Sequence, residues 1–481
     1  MPDNPTILWH RNDLRLDDNL SLLEALRGGG PLLPVFCLDP RWFASSAVGG
    51  FPKTGGYRTR FLLQSLEDLR ASYGRLGSTL VARVGKPEEV LLALAAQVGA
   101  ARVVASKEVT SEEVAVERTL RAALEAGGRK LALVWQATLH HRDDLPYRSI
   151  AELPDVFTEF RKDVEKKSAV RVPEDAPRAL PPLPAGIDAG AMPLPRDLGV
   201  EETRIDGRAV LPFRGGESRA RERLDHYVWK GDHLRSYKQT RNGLLGADYS
   251  SKFSAWLANG CLSPRRIFAE VRRYERERVA NSSTYWLIFE LLWRDFFRFT
   301  AIKVGDKMFR GGGMKGRAPR AFGRREHFDA WAEGRTGVPF VDASMRELAA
   351  TGFLSNRGRQ NVASYLVRDL GVDWRLGAEW FESLLLDYDP CSNWGNWNYV
   401  AGVGNDPRED RYFNVVKQAR DYDPSGDFAR HWIPELARVP GGKVHEPWLL
   451  SEREQRDWNA RVGVDYPAPL ATPRPPRPSR R

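Results

Sequence analysis

The first 136 residues alternate between short apolar segments and amphipathic segments, and this alternation constrains the fold more than any other feature of the chain. Helices are predicted at 57–73, after Pro87 and after Thr110, where Glu113 stands at capping-box spacing. Gly28-Gly29-Gly30 is interpreted as a helix stop, and no G-x-G-x-x-G fingerprint is present. Strand–helix alternation predicts a doubly wound parallel sheet in an α/β domain. The predicted strands span 7–10, 32–38, 79–84, 102–106 and 131–135.

Composition divides the rest of the chain. Residues 173–195 contain seven prolines, which can continue neither a helix nor an inner strand. Beyond residue 216 helical periodicity dominates, and 12 of the 15 tryptophans lie there. We therefore predict an α/β domain at 1–139, a linker partly ordered along the surface at 140–215, an all-α domain at 216–465 and a disordered Pro/Arg tail at 466–481.

The bulk properties of the 481 residues indicate a globular protein with a basic surface. The net charge is +10, which favours polyanionic partners such as nucleic acid, although solubility alone is an alternative reading. No apolar run reaches the roughly 18 residues of a membrane span, and the first residues lack a secretory signal pattern. The three cysteines are far apart, which predicts reduced thiols and no metal site in a cytoplasmic protein, and we expect a monomer.

The segment 284–299 is apolar nearly all round, which predicts a helix that is buried on most sides. Glu290, Trp293 and Arg294 share one face of it at i, i+3 and i+4. A buried carboxylate is costly unless it is paired, so one interpretation is a Glu290–Arg294 ion pair that holds helices in register. The other is a carboxylate at the floor of a pocket, beside an aromatic plate.

Two further segments have the composition of anion-binding sites. In D-Y-S-S-K-F-S (248–254), clustered hydroxyls precede a helix, which suits phosphate groups but is equally typical of ordinary helix caps. The loop 309–325 holds six cations and no acid. Flexible cations suit phosphate contacts, and a solvated loop is the alternative.

The segment richest in candidate functional side chains is D-Y-D-P-C-S-N-W-G-N-W-N-Y at 387–399. Asp387 and Asp389 alternate around a tyrosine, so acid–base or metal chemistry is conceivable. No histidine or further acid completes a metal set nearby, and an arginine partner is simpler. Arg359, in S-N-R-G-R-Q-N (355–361), is the candidate partner, although Arg357 and Arg359 could also be surface cations.

These motifs occur in the order and spacing of one family. The chain resembles the photolyase/cryptochrome family, and most closely its DASH branch, from W-H-R-N-D-L-R-L-D-D-N (9–19) to W-I-P-E-L (432–436). The specific stretches are Y-S-S-K-F-S-A-W-L-A-N-G, S-N-R-G-R-Q-N, and D-Y-D-P-C-S-N-W-G-N-W followed by A-G-V-G-N-D-P-R-E-D-R-Y-F-N. The resemblance implies an α/β domain linked to an all-α domain that binds FAD in a folded conformation.

The resemblance also implies the cofactor contacts. Asn393 is expected to face the flavin N5, and Arg359 to pair with Asp387. The residues implied in FAD binding are Tyr237, Ser250, Ser251, Lys252, Phe253, Ser254, Arg294, Asn356, Arg359, Asp387, Asp389 and Asn393. A methenyltetrahydrofolate antenna is expected in the N-terminal domain, with Glu108 as its contact; a deazaflavin antenna or none is the alternative.

The implied reaction is the blue-light-driven splitting of cyclobutane pyrimidine dimers in DNA. Glu290, Trp293 and Asn356 would contact the flipped dimer, and Arg241 and Arg357 the phosphates. Gln360 and Tyr399 stand where many duplex-acting photolyases have methionine and tryptophan. A more polar wall implies a preference for single-stranded DNA, where flipping costs least, with RNA or duplex DNA bound weakly. The alternative function is a blue-light photoreceptor that binds nucleic acid and signals.

Family members reduce their flavin through a chain of tryptophans. Trp397 and Trp374 match the proximal and middle members of that chain. The outer position is occupied by Ala321, with Phe322 beside it, and neither replaces a tryptophan well. The resemblance therefore leaves the outer end of the electron path open.

Overall fold

The computed structural model describes residues 4–317, 319, 321–407 and 411–473. Its sheet has five parallel strands in the order β3-β2-β1-β4-β5, and each strand lies within two residues of its predicted bounds. The predicted doubly wound sheet is thereby confirmed. The strands are β1 (Thr6–His10), β2 (Leu32–Leu38), β3 (Val81–Val84), β4 (Arg102–Ser106) and β5 (Lys130–Val134).

Neighbouring residues of each inner strand contribute to different cores. Ile7 lies in the cluster that also contains Leu91 and Leu120, whereas Leu8 lies in the cluster with Leu22 and Leu66. This period-two alternation buries both faces of the sheet under helices. The α-helices described in this domain are α1 (Leu20–Leu26), α2 (Gly56–Arg75), α3 (Pro87–Gln97) and α4 (Ser111–Ala126).

Two local predictions in this domain had different outcomes. The glycines at 28–30 follow the end of α1, and Gly29 has a φ of 73°, so the predicted helix stop is confirmed. Thr110 is the N-cap of α4, but its hydroxyl bonds the Glu113 carboxylate and not a backbone amide. The predicted capping box is therefore wrong, because the two side chains satisfy each other.

The linker contains a helix that the sequence prediction placed at the surface. In α5 (Phe157–Lys167), Phe157, Phe160 and Val164 are buried, and the Phe157 ring stacks on Trp293 with centroids 3.7 Å apart. The linker thus supplies core side chains, because its apolar residues recur at helical spacing between the polar ones.

The C-terminal half is all-α, as predicted. Its central helix, α10 (Ser282–Val304), is buried over most of its length, which agrees with its all-round apolar pattern. Among the described residues, no helix combines the length and hydropathy required to cross a bilayer. The other helices of this half are α6 (Glu217–Asp225), α7 (Tyr237–Thr240), α8 (Ser254–Ala258), α9 (Pro264–Glu277), α11 (Arg325–Ala332), α12 (Pro339–Thr351), α13 (Asn356–Ser364), α14 (Trp374–Leu384), α15 (Pro390–Ala401), α16 (Val415–Tyr422), α17 (Asp427–Trp432) and α18 (Glu452–Asp457).

One face of α10 joins the two halves. The fully buried Asp295 carboxylate accepts hydrogen bonds of 2.8 Å from the amides of Leu139 and His140, where the linker begins. One turn further on, the Arg298 guanidinium pairs with Glu108, just after β4. Buried charges of this kind are stable only when they are paired, so the two halves depend on each other for these contacts.

The predicted disordered tail is wrong for residues 466–473. Tyr466 is only 1% exposed, and its hydroxyl donates to the Asp342 carboxylate at 2.5 Å. Further along, the Tyr365 hydroxyl donates to the carbonyl of Ala471 at 2.8 Å. The remainder of the predicted tail, 474–481, lies outside the described residues. The three cysteines, at positions 37, 261 and 391, are free and buried.

Candidate functional site

A cavity between three helices gathers the residues of the 387–399 segment. α13 and α14 form two of its walls, and α15 forms the third along most of its length. Asn356, Arg359 and Gln360 contribute from α13, and Asn393 and Trp397 from α15. Its lining therefore combines guanidinium, carboxamide and indole groups, with the carboxylates of Asp387 and Asp389 at one end.

The predicted Arg359–Asp387 ion pair is present. One guanidinium nitrogen of Arg359, Nη2, lies 2.8 Å from both carboxylate oxygens of Asp387. The Arg359 Nε donates to the carbonyl of Leu354 at 2.9 Å, which fixes the plane of the guanidinium. The Asp387 side chain is only 1% exposed, so this pair neutralises a buried carboxylate at the cavity wall.

Asp389 and Asn393 are positioned by the first turn of α15. Asp389 is the N-cap, and its Oδ1 accepts from the amide of Ser392 at 2.7 Å. The side-chain nitrogen of Asn393, Nδ2, donates to the carbonyl of Ala378 in α14 at 3.1 Å. The carboxamide oxygen of Asn393 is then the atom that remains for a ligand in the cavity.

The hydroxyl-rich loop and Arg294 form a second group of predicted cofactor contacts. Ser254 begins α8 and is exposed, whereas Ser251 and Phe253 are buried. The Arg294 guanidinium donates to the carbonyls of Ala137 and Leu257, and burial lowers its pKa. The ion pairs of the described residues do not include Arg294, so this half-buried cation suits an anionic ligand.

Beneath Arg359 lies a buried pair of ionisable groups, Lys252 and Glu347. Burial, only partly offset by Lys252 and Arg359, raises the pKa of Glu347 to about 8. Among the residues that the structure describes, neither of its carboxylate oxygens has a hydrogen-bond partner. Burial lowers the pKa of Lys252 to about 7, and its Nζ lies 3.2 Å from the ring centroid of Tyr249. The Lys252 ammonium, predicted as a cofactor contact, is therefore directed into this interior cluster.

The outer rim of the site carries Glu290, which pairs with a different arginine from the one considered in the sequence. The Arg241 Nη2 lies 2.8 Å from the Glu290 Oε1, whereas Arg294 is engaged by backbone carbonyls. The alternative of a Glu290–Arg294 pair is therefore wrong. Burial raises the pKa of Glu290, and Arg241 opposes that shift. Tyr237, at the start of α7, is buried beside this pair.

Aromatic and amide groups complete the rim. The ring of Trp293 meets the ring of Tyr399 edge-on, with centroids 6.0 Å apart. The Tyr399 hydroxyl accepts from Arg411 at 3.0 Å. On the facing helix, the Gln360 Oε1 accepts from Arg357 at 3.1 Å. Both polar residues of the predicted lesion wall are thus held in place by arginines.

Several side chains of this rim escaped the sequence prediction. Arg357 also donates to Asn242 and Gln418, each at 2.9 Å. The buried indole nitrogen of Trp286, one turn before Glu290, lies beside that carboxylate and helps to oppose the rise of its pKa. Trp286 could have been found from its i, i+4 relation to Glu290, whereas Asn242 and Gln418 are too distant in sequence for any local pattern.

Trp397 and Trp374, the predicted electron donors, are both buried. Trp397 lines the cavity, and the ring of Trp374 meets Trp394 edge-on at 5.6 Å. At the outer position Ala321 has no ring, and Phe322 is 63% exposed and packs over Gly371. Another buried indole, Trp331, lies 6.4 Å from Trp397 between ring centroids.

Gly377 of α14 permits the ring of Trp397 to lie against the helix backbone. A Cβ atom at position 377 would lie 2.2 Å from the Trp397 ring and 2.7 Å from Leu366. We expect Gly377→Ala to lower the free energy of unfolding by about 1–3 kcal/mol, because the overpacked ring must move. Chemical denaturation followed by fluorescence measures this loss.

The control is Gly74→Ala in α2, where an added Cβ meets nothing within 4 Å. This substitution should leave stability unchanged or raise it slightly, because alanine is the better helix former. Equal stability changes in the two variants would contradict the steric explanation for Gly377.

Glu108, the predicted antenna contact, is buried and engaged. Arg298 donates to one of its oxygens, and Asn12 donates to the other at 3.3 Å. A separate cavity of about 570 Å³ opens beside the preceding residue, Lys107. It is lined by Lys107, Val114, Glu117, Arg118, Arg121, Leu133, Trp135, His141, Arg142 and Asp143. The role of Glu108 stays a prediction, and its pairing with Arg298 weighs against direct access.

The donor set of the central site fits a flavin nucleotide. Arg294 offers a cation whose hydrogen bonds go to backbone carbonyls, Asn393 a carboxamide oxygen, and Trp397 an aromatic surface, while the serine loop offers hydroxyls. A dinucleotide with a conjugated ring and phosphates requires these groups. FAD therefore fits this donor set.

Comparison with known proteins identifies both domains of the chain. Residues 6–190 match the DNA photolyase family, and residues 286–475 match the FAD binding domain of DNA photolyase. Cryptochrome DASH of Gloeobacter violaceus is 54% identical over 98% of this chain and 93% of the relative; that of Xenopus laevis is 51% identical over 98% and 90%.

Solved structures show the same relationship. The crystal structure of a Synechocystis cryptochrome superposes with a TM-score of 0.94 at 52% identity, covering 98% of this chain and 97% of that one. A bacterial class III photolyase from Agrobacterium tumefaciens superposes with a TM-score of 0.84 at 28% identity, covering 98% and 95%. The fold, the cavity and these relatives place the chain in the photolyase/cryptochrome family, as a member of its cryptochrome DASH branch.

Proposed function

We propose that this protein is a photolyase-type lyase that splits cyclobutane pyrimidine dimers in single-stranded DNA under blue light, with FAD as its cofactor. One observation carries the proposal: α13 and α15 contribute side chains both to the inner cavity and to the rim that holds Gln360 and Tyr399. When bound and reduced, FAD would supply a light-excited electron that splits the cyclobutane ring of the dimer, and the electron would then return from the separated pyrimidines to the flavin.

The residues around the cavity bind and orient the cofactor. The Asn393 carboxamide oxygen is available to accept from the flavin N5–H, since its amide nitrogen is engaged by Ala378. Arg294 and the hydroxyls of Ser250, Ser251 and Ser254 neutralise and bind the phosphates. The Arg359–Asp387 pair and Asp389 fix the wall at the other end of the cavity.

The rim residues hold the substrate. Glu290 can accept a hydrogen bond from the flipped bases, and Trp293 offers them an apolar surface. Asn356 is exposed at the start of α13, close to Gln360. Arg241 and Arg357 supply positive charge at the same rim, where contacts with phosphates would position the strand without reading its sequence.

Repair under blue light tests the proposal. We expect the reduced protein to repair a dimer in a single-stranded oligonucleotide, and to repair the same dimer in a duplex much more slowly, because only the duplex must be unpaired first. Absorbance and chromatography of the products measure the yield, with dark samples as controls. Glu290→Gln should lower the single-strand yield.

Two outcomes would contradict the proposal. Equal repair of both substrates would refute the single-strand preference. Absence of repair by reduced, flavin-loaded protein would favour the photoreceptor alternative for this chain.

Flavin photoreduction tests the role of Trp397. We expect Trp397→Phe to lose most photoreduction in the presence of an external thiol, because phenylalanine is much harder to oxidise than tryptophan and position 397 lines the cavity. Absorbance changes under blue light measure the rate. Comparing Trp374→Phe with Trp331→Phe shows which of these two buried indoles is the second electron donor. Normal photoreduction in Trp397→Phe would exclude Trp397 as the first donor.

The antenna is part of the same proposal. Methenyltetrahydrofolate should bind the N-terminal domain, and Glu108→Ala should weaken its binding if Glu108 opens away from Arg298. Arg118→Glu tests the larger cavity as an alternative location, since a folate carries carboxylates and this lining is rich in cations.

A further inference from the structure

Two histidines and an aspartate converge at a site that takes no part in the proposed photochemistry. His226 begins a π-helical turn (His226–Lys230) directly after α6, and turns of this type occur frequently at functional sites. His233 begins a short 3-10 helix (His233–Ser236), and Asp248 lies in the loop that precedes Ser250. All three side chains are partly exposed, so the site is open to solvent.

The ligand atoms are close to the spacing that a metal ion requires. The His226 Nε2 lies 3.2 Å from the Asp248 Oδ1, and the His233 Nε2 lies 3.4 Å from the Asp248 Oδ2. Around a tetrahedral zinc ion with bonds of about 2.0–2.1 Å, neighbouring donor atoms are roughly 3.4 Å apart. The donor atoms of the three residues all lie within 4.8 Å of one another, so a small rotation of the imidazoles brings all three donor atoms to the spacing of a zinc site.

The backbone fixes the position of His233. Asp232, just before it, has a φ of 53°, a left-handed conformation that is uncommon for residues other than glycine. The Asp232 carboxylate accepts hydrogen bonds from Arg235 at 2.8 Å and from Arg278 at 3.1 Å, and Tyr274 also donates to it. A strained residue held by three side chains places the imidazole of His233 5.4 Å from that of His226, between ring centroids.

The chemistry of the donors selects the ion. Imidazole nitrogen suits zinc, copper and nickel, whereas magnesium and calcium prefer sets made only of oxygen. Three protein ligands leave a fourth position for water in a tetrahedral site. We propose that His226, His233 and Asp248 form a binding site for a divalent transition metal ion, with Zn²⁺ as the occupant.

Arg223 determines which carboxylate oxygen binds the ion. Its Nη1 donates to the Asp248 Oδ1 at 2.6 Å, so Oδ2 is the oxygen that remains for the metal. Arg223 also donates to the carbonyls of Ser250 and Ser251, at 3.0 and 2.9 Å. A bound ion would therefore tie the end of α6 and the turn at His233 to the loop that carries these serines.

Calorimetric titration tests the site. Untagged, FAD-loaded protein freed of metal by a chelator is titrated with ZnCl₂, and thermal unfolding is recorded with and without the ion. We expect one Zn²⁺ per chain and a rise in Tm. His226→Ala and His233→Ala should each weaken Zn²⁺ binding at least about tenfold, since even a residue outside the ligand set can have that effect. MgCl₂ should give neither response.

His431→Ala is the matched control, because His431 is an exposed histidine far from these ligands in sequence. It should bind Zn²⁺ like the unchanged protein, and all variants should retain their flavin absorbance. Undiminished binding in the double variant His226→Ala/His233→Ala would overturn the proposal. So would the absence of any heat or Tm shift up to millimolar Zn²⁺. Neither result depends on light-driven repair, so this proposal can fail while the proposed function stands.

Discussion

Arg359→Leu is expected to lower the free energy of unfolding by about 3–5 kcal/mol, because it leaves a buried carboxylate without its counter-ion. Asp387 is 1% exposed, and both of its oxygens lie 2.8 Å from the Arg359 guanidinium. The same substitution should reduce the flavin content of the purified protein, since Arg359 and Asp387 both line the cavity. Urea denaturation and the ratio of flavin to protein absorbance measure the two effects.

Two further variants make this prediction specific. Arg359→Leu/Asp387→Asn should recover part of the lost stability, because the uncompensated charge has been removed. Arg453→Leu breaks a solvent-exposed pair with Asp457 and should cost at most about 1 kcal/mol. A loss in Arg359→Leu no larger than in Arg453→Leu would show that the buried pair contributes little.

The buried Glu347 makes stability depend on pH in an unusual direction. Its pKa is raised from an ordinary 4.5 to about 8 by burial, so the folded protein retains a proton that the unfolded chain releases. Stability therefore falls as the pH rises from about 4.5 towards 8, by an amount on the order of a few kcal/mol. Glu347→Gln should remove this fall, and its stability relative to the unchanged protein should increase between pH 5 and pH 9.

Lys252 has the opposite effect on the pH dependence of stability, and its effect occurs at higher pH. Its pKa is lowered from 10.5 to about 7, so the unfolded chain binds more protons between these values and stability rises with pH there. In Glu347→Gln this rise should remain. Glu326→Gln, at an exposed position, is the control and should leave the pH profile unchanged. Parallel pH profiles of Glu347→Gln and the unchanged protein would contradict the prediction.

The sequence predicts the sheet accurately because strand and helix periods are local patterns. Each strand falls within two residues of its expected position. Predictions from composition fail in two places. α5 lies in a segment that was predicted to be a linker mainly because of its prolines, and Tyr466 lies at the start of a Pro/Arg segment that was predicted to be disordered. Its contact with Asp342 joins residues 124 positions apart. No periodicity within one element can indicate a contact of this kind.

Some side-chain contacts of the site were predicted from the sequence and others were not, because local patterns do not indicate contacts between distant segments. The Arg359–Asp387 pair followed from the family motifs, and its geometry is present in the structure. The partner of Glu290 was expected one turn away on its own helix, but it is Arg241, on another element. Lys252 was expected to contact the cofactor, and its ammonium is directed towards the ring of Tyr249. Motifs identify residue types at a site, whereas side-chain direction depends on packing between distant segments.

Helix α10 makes the two halves of the protein poor candidates for exchange as modules. It carries Glu290 and Trp293 at the rim, while Asp295 and Arg298 on its other side bind the start of the linker and Glu108. A C-terminal half produced alone would leave the Asp295 carboxylate without its two amide donors and Arg298 without Glu108. A chimaera that takes its α/β half from a distant relative must therefore match these contacts before the rim that carries Glu290 and Trp293 can keep its shape.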